Sequence, residues 1–258
     1  MLNFTIDLAK KAGEVILSEK KHLTVDKKSR REIVTNADVA SEKFITHSIL
    51  EKFGSHHILG EETFQKDKNY QKFSDLWIID PIDGTTNFAQ GLTEYAVSIG
   101  YYHDQKPVVG VVFFPEKNML FTAESGKGAS LNDKKIEVAQ KQDVKDVVFS
   151  GLFSYETEEN VVVLDIAKKL YPQIKTMRFM GSAVLDICFT AAGILDGTFG
   201  FSLKPWDMAA GYIIATEAGA EVSTLKGEKW TLFQPEMLVT NKFIHPFFVN
   251  FFSQILLV

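Results

Sequence analysis

The chain holds a single cysteine, Cys188, so no internal disulfide can form. Its neighbours Ala183, Leu185 and Ala191 are small or apolar, which marks the thiol as a buried structural group in a reducing compartment. Long apolar runs are missing too. No stretch approaches the ~20 residues that a membrane-spanning helix needs. Asp7, Lys10 and Lys11 interrupt the opening segment, so no signal peptide is expected and the location is expected to be cytoplasmic. A basic excess is also lacking: 28 Lys and Arg stand against 33 Asp and Glu, for a formal charge of −5. No basic stripe follows the chain, so neither nucleic acid nor a membrane is expected as a partner. The short run Lys27, Lys28, Arg30, Arg31 reads as a solvated turn. Internal repeats and low-complexity tracts are absent.

What is present is the balance of a folded α/β protein. Apolar residues make up 45% and charged residues 24% of 258 positions, enough for a sizeable core without disulfide or metal staples. One domain over residues 1–258 is expected, in two approximate halves, 1–140 and 141–258, with the weakest junction at 140–152. Periodicity predicts a helix over 3–20, two short strands between Leu23 and Val34, and a helix carrying Phe44, Ile45, Ile49 and Phe53. Thr35 can cap that helix, with Asp38 three residues later in a near capping-box arrangement. A short strand runs from His57 into the acids Glu61 and Glu62, a polar loop spans 63–74, and Leu76 to Ile79 form an apolar strand. Strands at 95–103, 107–114 and 119–124, separated by turn residues, predict an antiparallel meander. The second half alternates: strands at 147–149, 176–179, 197–201 and 237–239, helices at 160–170, 182–192 and 207–218. Most of the 21 phenylalanines belong in the core; the pairs Phe247-Phe248 and Phe251-Phe252 suit either the apolar face of a helix or a subunit contact.

The chemistry concentrates in Asp80-Pro81-Ile82-Asp83-Gly84-Thr85-Thr86-Asn87. It follows an apolar strand, and clefts of α/β sheets open at the C-terminal ends of strands. Two carboxylates flanking a proline turn can converge on the same cation, and hard oxygen donors suit Mg²⁺ together with phosphate oxygens. The carbonyl of Ile82 lies between them as a further donor. Gly84-Thr85-Thr86 then turns the chain into a helix whose free N–H groups can approach a phosphate. Taken alone, Asp80 and Asp83 also fit the cap of a turn, Glu61 the end of a solvated strand, and Asp38 and Asp207 the acids of a helix start. A phospho-aspartate enzyme of the haloacid-dehalogenase type is the competing motif; it has one residue between its acids, whereas here Pro81 and Ile82 stand between them.

The stretches Gly60-Glu61-Glu62, Trp77 to Phe88, and Pro205-Trp206-Asp207-Met208-Ala209-Ala210-Gly211 follow one another in a specific order. Val34-Thr35-Asn36-Ala37-Asp38, Gly181-Ser182-Ala183 and Glu217-Ala218-Gly219 accompany them. With these motifs the chain resembles the inositol monophosphatase family over nearly its whole length. The resemblance implies a mixed α/β (α+β) fold, a layered α-β-α-β-α sandwich of the inositol monophosphatase and fructose-1,6-bisphosphatase type. It implies a Mg²⁺-dependent hydrolase of small phosphate monoesters, with two or three ions and a homodimeric assembly. Glu61, Asp80 and the carbonyl of Ile82 would hold one ion; Asp80, Asp83 and Asp207 would hold a second; a third would lie near Glu61. Asp38 and Thr85 would activate the attacking water, Gly84 and Thr85 would contact phosphate, and Gly181, Ser182, Ala183 and Asp207 would face the substrate. One ion would lower the pKa of water and the other would stabilise the leaving oxygen, in an in-line displacement without a phosphoenzyme.

The substrate the resemblance suggests first is inositol monophosphate. Inositol-specific members place a Glu seven residues before the Asp of Trp-Asp, and here that position is Gly200, which offers no acceptor. Fructose 1,6-bisphosphate, histidinol phosphate and 3′(2′),5′-bisphosphate nucleotides are the alternatives within the fold, with Arg178 and Lys204 as cations for a second phosphate. A non-catalytic binding protein would be expected to have lost the acidic residues, and all are intact.

Overall fold

A computed structural model describes residues 1–153 and 157–255, with the backbone alone for 157–159. The chain opens with helix α1 (Leu2–Glu19), a hairpin of β1 (Val25–Lys27) and β2 (Ile33–Thr35), and helix α2 (Asn36–Lys52). A seven-stranded sheet follows in chain order: β3 (His57–Gly60), β4 (Asp75–Asp83), β5 (Ala96–His103), β6 (Lys106–Phe114), β7 (Met119–Glu124), β8 (Ala129–Leu131) and β9 (Lys134–Ile136). β3 and β4 are parallel, and the rest is an antiparallel meander. The short helix α3 (Thr85–Ala89) lies between β4 and β5.

The second half builds a mixed sheet from β10 (Val148–Gly151), β11 (Thr176–Arg178), β12 (Gly197–Gly200), β13 (Glu221–Ser223) and β14 (Met237–Thr240), in the order β11-β10-β12-β14-β13. Its helices are α4 (Thr157–Leu170), α5 (Ala183–Ala191), α6 (Pro205–Glu217) and α7 (His245–Ile255).

Side-chain alternation along the strands sorts the core into layers. Trp77 and Ile79 of β4 join Val97, Ile99, Val109 and Val111 against Leu8, Ala12 and Ile16 of α1 and Ile45 and Ile49 of α2. Leu76 and Ile78 point the other way, towards Leu185 and Cys188 of α5 and Ala209, Ala210 and Ile213 of α6. Beyond those helices Met237 and Val239 begin the second sheet. On its outer face Phe149 and Phe199 meet Val163 and Ile166 of α4 and Phe248, Phe251 and Phe252 of α7. The layers run α1/α2, sheet, α5/α6, sheet, α4/α7, as the α-β-α-β-α sandwich requires. With cover on both faces, β4, β5 and β6 are apolar almost without interruption. Gly110 permits the close approach of α6, since a Cβ there would stand 2.6 Å from the carbonyl oxygen of Ala210.

Cys188 is fully buried, as its neighbours suggested. The phenylalanines of the last helix serve its apolar face, stacking Phe248 on Phe149 with ring centroids 4.0 Å apart. The hairpin β8–β9 and the strand β13 are elements that the hydrophobic pattern did not mark. Asn132 and Asp133 carry the hairpin turn in left-handed conformation, with φ of 47° and 63°, a role suited to Asn and Asp.

Candidate active site

β4 does not stop at Asp80. It continues to Asp83, but its pairing with β5 slips between Asp80↔Ser98 and Asp83↔Ala96. Pro81 and Ile82 on β4 thus oppose Val97 alone on β5, which is a bulge. Pro81 has no N–H to give to the ladder, so the break falls where pairing is weakest. The bulge has a chemical consequence. In a regular strand, residues three apart point to opposite faces. One extra residue restores the phase, and Asp80 and Asp83 turn their carboxylates into the same cavity.

Asp207 enters that cavity from the first turn of α6. Carboxylate oxygens of Asp80, Asp83 and Asp207 all lie within 4.8 Å of one another. Glu61, just past the end of β3, and the backbone of Ile82 line the same space, a cavity of about 140 Å³. Its walls therefore come from β3, β4 and α6. It opens on a larger cleft of about 540 Å³ that shares Asp83, Gly84, Thr85 and Asp207.

Each acid is held by the backbone as well. Asp80 accepts from the N–H of Ile82 at 3.0 Å. Asp83 accepts from the N–H groups of Ala183 at 3.2 Å and Val184 at 2.8 Å, and from the hydroxyl of Ser182. It therefore sits at the positive end of α5. Asp207 accepts from the N–H of Lys204 at 2.7 Å and so caps its own helix. The helix-cap and metal-ligand readings are compatible, because a carboxylate has lone pairs for both.

Asp38 stands at the start of α2 in a completed capping box with Thr35. Its Oδ2 accepts from the Thr35 N–H at 2.8 Å and hydroxyl at 2.6 Å, while Oδ1 lies 3.1 Å from Thr85 Oγ1. Thr85 Oγ1 is also 2.9 Å from the carbonyl oxygen of Ile82. Gly84 precedes it with φ of +95°, and a Cβ there would come within 2.7 Å of the Glu94 carbonyl oxygen, so only glycine makes this turn without strain. Asn87 fastens the turn by donating to the carbonyls of Glu94 at 2.8 Å and Met180 at 2.9 Å.

Burial dominates the electrostatics. It pushes Asp38 and Asp83 up to about 6 and Glu61 to about 7. Asp80 and Asp207 are pushed well above the carboxylate range, by burial first and then by repulsion from neighbouring acids. Such a cluster is stabilised by positive charge. The chain supplies part of it from a distance: Lys28 Nζ lies 2.8 Å from Glu61 and 2.6 Å from Glu62. Burial alone would lower that ammonium, but the two acids raise it. The basic run is therefore more than a solvated turn, since Lys28 folds back from the β1–β2 hairpin onto the acids.

Gly181 and Ala183 line the larger cleft. Ser182 does not face the alcohol side expected of it. It is 1% exposed, donates to Asp83 and accepts from the Leu185 N–H at 3.3 Å, because as N-cap of α5 it must point inward. Glu42 is a residue that sequence reasoning passed over. Buried in α2, it accepts from the Glu62 N–H at 2.8 Å and supports the turn carrying Glu61 and Glu62. Its position inside a helix beside Ser41 gave no signal. Arg178 has its guanidinium on Thr176 Oγ1 and the Met177 carbonyl, among its own neighbours on β11.

Comparisons with known proteins identify the family. The family model for the inositol monophosphatase family matches residues 1–256. The Nus factor SuhB of Pasteurella multocida is 40% identical over 232 residues, covering 88% of this chain and 86% of that protein. The fructose-1,6-bisphosphatase/inositol-1-monophosphatase of Aquifex aeolicus is 34% identical over 248 residues, covering 94% and 92%. Among solved structures, the IMPase of Thermotoga maritima superposes with a TM-score of 0.89 at 30% identity, covering 98% of this chain and 97% of its own.

Proposed function

The chain belongs to the inositol monophosphatase family and is a phosphoric monoester hydrolase, and we propose that it releases phosphate from a small alcohol phosphate by Mg²⁺-assisted attack of water, without a phosphoenzyme. The observation that carries this reading is the convergence of Asp80, Asp83 and Asp207 within 4.8 Å in one cavity beside the Asp38–Thr85 pair.

Magnesium fits the residues present. The donors are hard oxygens, and their mutual repulsion in a buried cavity is relieved by a divalent cation. Asp80, Asp83 and Asp207, with Glu61 and the Ile82 carbonyl, would hold the ions. When bound, they lower the pKa of water and offset charge on the phosphoryl and leaving oxygens.

The protein's own groups do the positioning. A threonine hydroxyl has one proton to donate. With that proton directed to Asp38 Oδ1, Thr85 Oγ1 presents a lone pair to water and orients it. Asp38, reached through Thr85, takes up the proton that water gives. The first-turn N–H groups at Gly84 and Thr85 have no intrahelical acceptor and would donate to phosphate oxygens. The water oxygen forms a bond to phosphorus as the bond from phosphorus to the alcohol oxygen breaks, and the alkoxide so released takes a proton from solvent to leave as the alcohol. Asp83, fixed by α5, keeps the site rigid while charge moves.

Phosphate release from a panel of polyol, sugar, amino-alcohol and nucleotide phosphates, with Mg²⁺ and with chelator, tests the reading. Inositol monophosphate is the reference compound. Mg²⁺-dependent release from at least one member is expected; no release from any would refute it.

A further inference from the structure

The larger cleft changes character along its length. The end shared with the metal cavity holds Asp83, Gly84, Thr85 and Asp207; beyond it the wall is mostly carbon, from Leu152, Phe153, Leu164, Phe179, Phe201 and Leu203, with Arg31 and Asn160 beside them. We infer that this outer end receives a planar, uncharged ring carried by the substrate's alcohol, in preference to a polyol. The inference rests on the phosphatase reading and narrows it.

Three observations carry it. First, Phe153 and Phe179 stack on each other with centroids 4.7 Å apart and remain 48% and 40% exposed, an aromatic surface left to water at the cleft wall. A flat ring can continue such a stack at little cost in ordering. Second, the space beside Gly200, at the end of β12, is filled with leucine. A Cβ on Gly200 would lie 2.7 Å from Leu203 Cδ1 and 2.9 Å from Leu152 Cδ1, so the wall there is closed by methyl groups. Third, charged groups are few, although Thr86, Asn160 and Ser202 add uncharged polar groups to the lining. Apart from Asp83 and Asp207, Arg31 is the one charged residue lining the cleft among the described residues. The amide nitrogen of Asn87 is committed to the Glu94 and Met180 carbonyls.

A polyol that buries its hydroxyls against carbon loses hydrogen bonds to water and gains none. An amine-bearing alcohol fares no better, because the described residues of the outer end offer it no carboxylate. A neutral ring needs neither. The cleft is also continuous with the candidate metal cavity, since Asp83, Gly84, Thr85 and Asp207 line both.

Three primary alkyl phosphates of similar leaving-group chemistry test this: 2-phenylethyl phosphate, glycerol 3-phosphate and 2-aminoethyl phosphate, with myo-inositol 1-phosphate as the ring polyol. Each is assayed with the purified protein and Mg²⁺. The phenylethyl ester is expected to show a kcat/KM about tenfold or more above the others. In Phe179→Ala that preference ratio should fall about tenfold, chiefly through KM, and Phe153→Ala should lower it in the same direction. Both side chains are well exposed, so the variants are expected to fold. Preference for the polyols, or a ratio unmoved in both variants, would overturn the ring pocket and leave the phosphatase reading standing. Absence of Mg²⁺-dependent release from every ester, inositol phosphate included, would overturn both.

Discussion

Thr85 Oγ1 lies 3.1 Å from Asp38 Oδ1, joining the first turn of α2 to the turn that follows β4. Asp38 was already needed to cap α2 and Thr85 to start α3. One contact therefore links two helix starts, and both partners are buried, at 0% and 5% exposure. In the proposed reaction the pair would pass a proton out of reach of bulk water.

Removing the hydroxyl should therefore harm the chemical step more than binding. Thr85→Ala is expected to lower kcat about 10²- to 10⁴-fold, the range for a positioned acid–base group. Thr85→Ser keeps the oxygen and should recover most of the loss. Steady-state kinetics on both variants checks this; equal damage in both would assign the effect to packing of the threonine methyl.

The acid cluster should cost stability when no cation is bound. Asp80 is buried and repelled by Glu61, Asp83 and Asp207. Asp80→Asn keeps an acceptor for the Ile82 N–H and removes one charge. In EDTA at pH 7.5 its Tm is expected to exceed the parent's by about 3 °C or more. Added Mg²⁺ should raise the parent's Tm in a concentration-dependent way and the variant's far less. A thermal melt series decides it.

The pH dependence of the metal-free protein follows from the sign of the shifts. Asp38 and Asp83 titrate at about 6 and Glu61 at about 7 in the folded state, against about 4 for an ordinary carboxylate. Between those values the folded chain binds more protons than the unfolded one, so these groups lower stability as pH rises through the window, and their effect levels off above it. Urea melts in EDTA from pH 5 to pH 8 should show the parent falling more steeply than Asp83→Asn. Identical slopes would contradict the shift assigned to Asp83.

Ser182 tests whether Asp83 is positioned from α5. Ser182→Ala deletes the hydroxyl that donates to Asp83 and the acceptor for the Leu185 N–H. The lost cap should cost about 1 kcal/mol, and Mg²⁺ affinity should weaken about 10- to 100-fold, as for other residues that orient a ligand. Calorimetric titration of Mg²⁺ separates the two effects.

Much of this was legible in the residues. The apolar runs of β4 to β7, the Thr35–Asp38 cap and the Asp80–Asn87 motif all express local rules of period, cap and turn. The apolar stripe of α7 was visible in paired phenylalanines. What escaped notice depends on contacts across the chain. Nothing near Lys28 indicates that it folds onto Glu61, because that pairing joins a hairpin to the end of another strand. Ser182 reads as a cleft residue until its duty as an N-cap turns it towards Asp83. The bulge between Asp80 and Asp83 needs both Pro81 and the register of β5, and only the first is local. Glu42 gave no sign, since its partner is the backbone of Glu62.

The most direct measurement is diffraction from crystals soaked in Mn²⁺, whose anomalous signal locates the ions. The account predicts manganese peaks in direct contact with the carboxylates of Asp80, Asp83 and Asp207, and their loss in crystals of Asp207→Asn. Peaks elsewhere, or none at these three side chains in an enzyme that still releases phosphate with the metal, would contradict it.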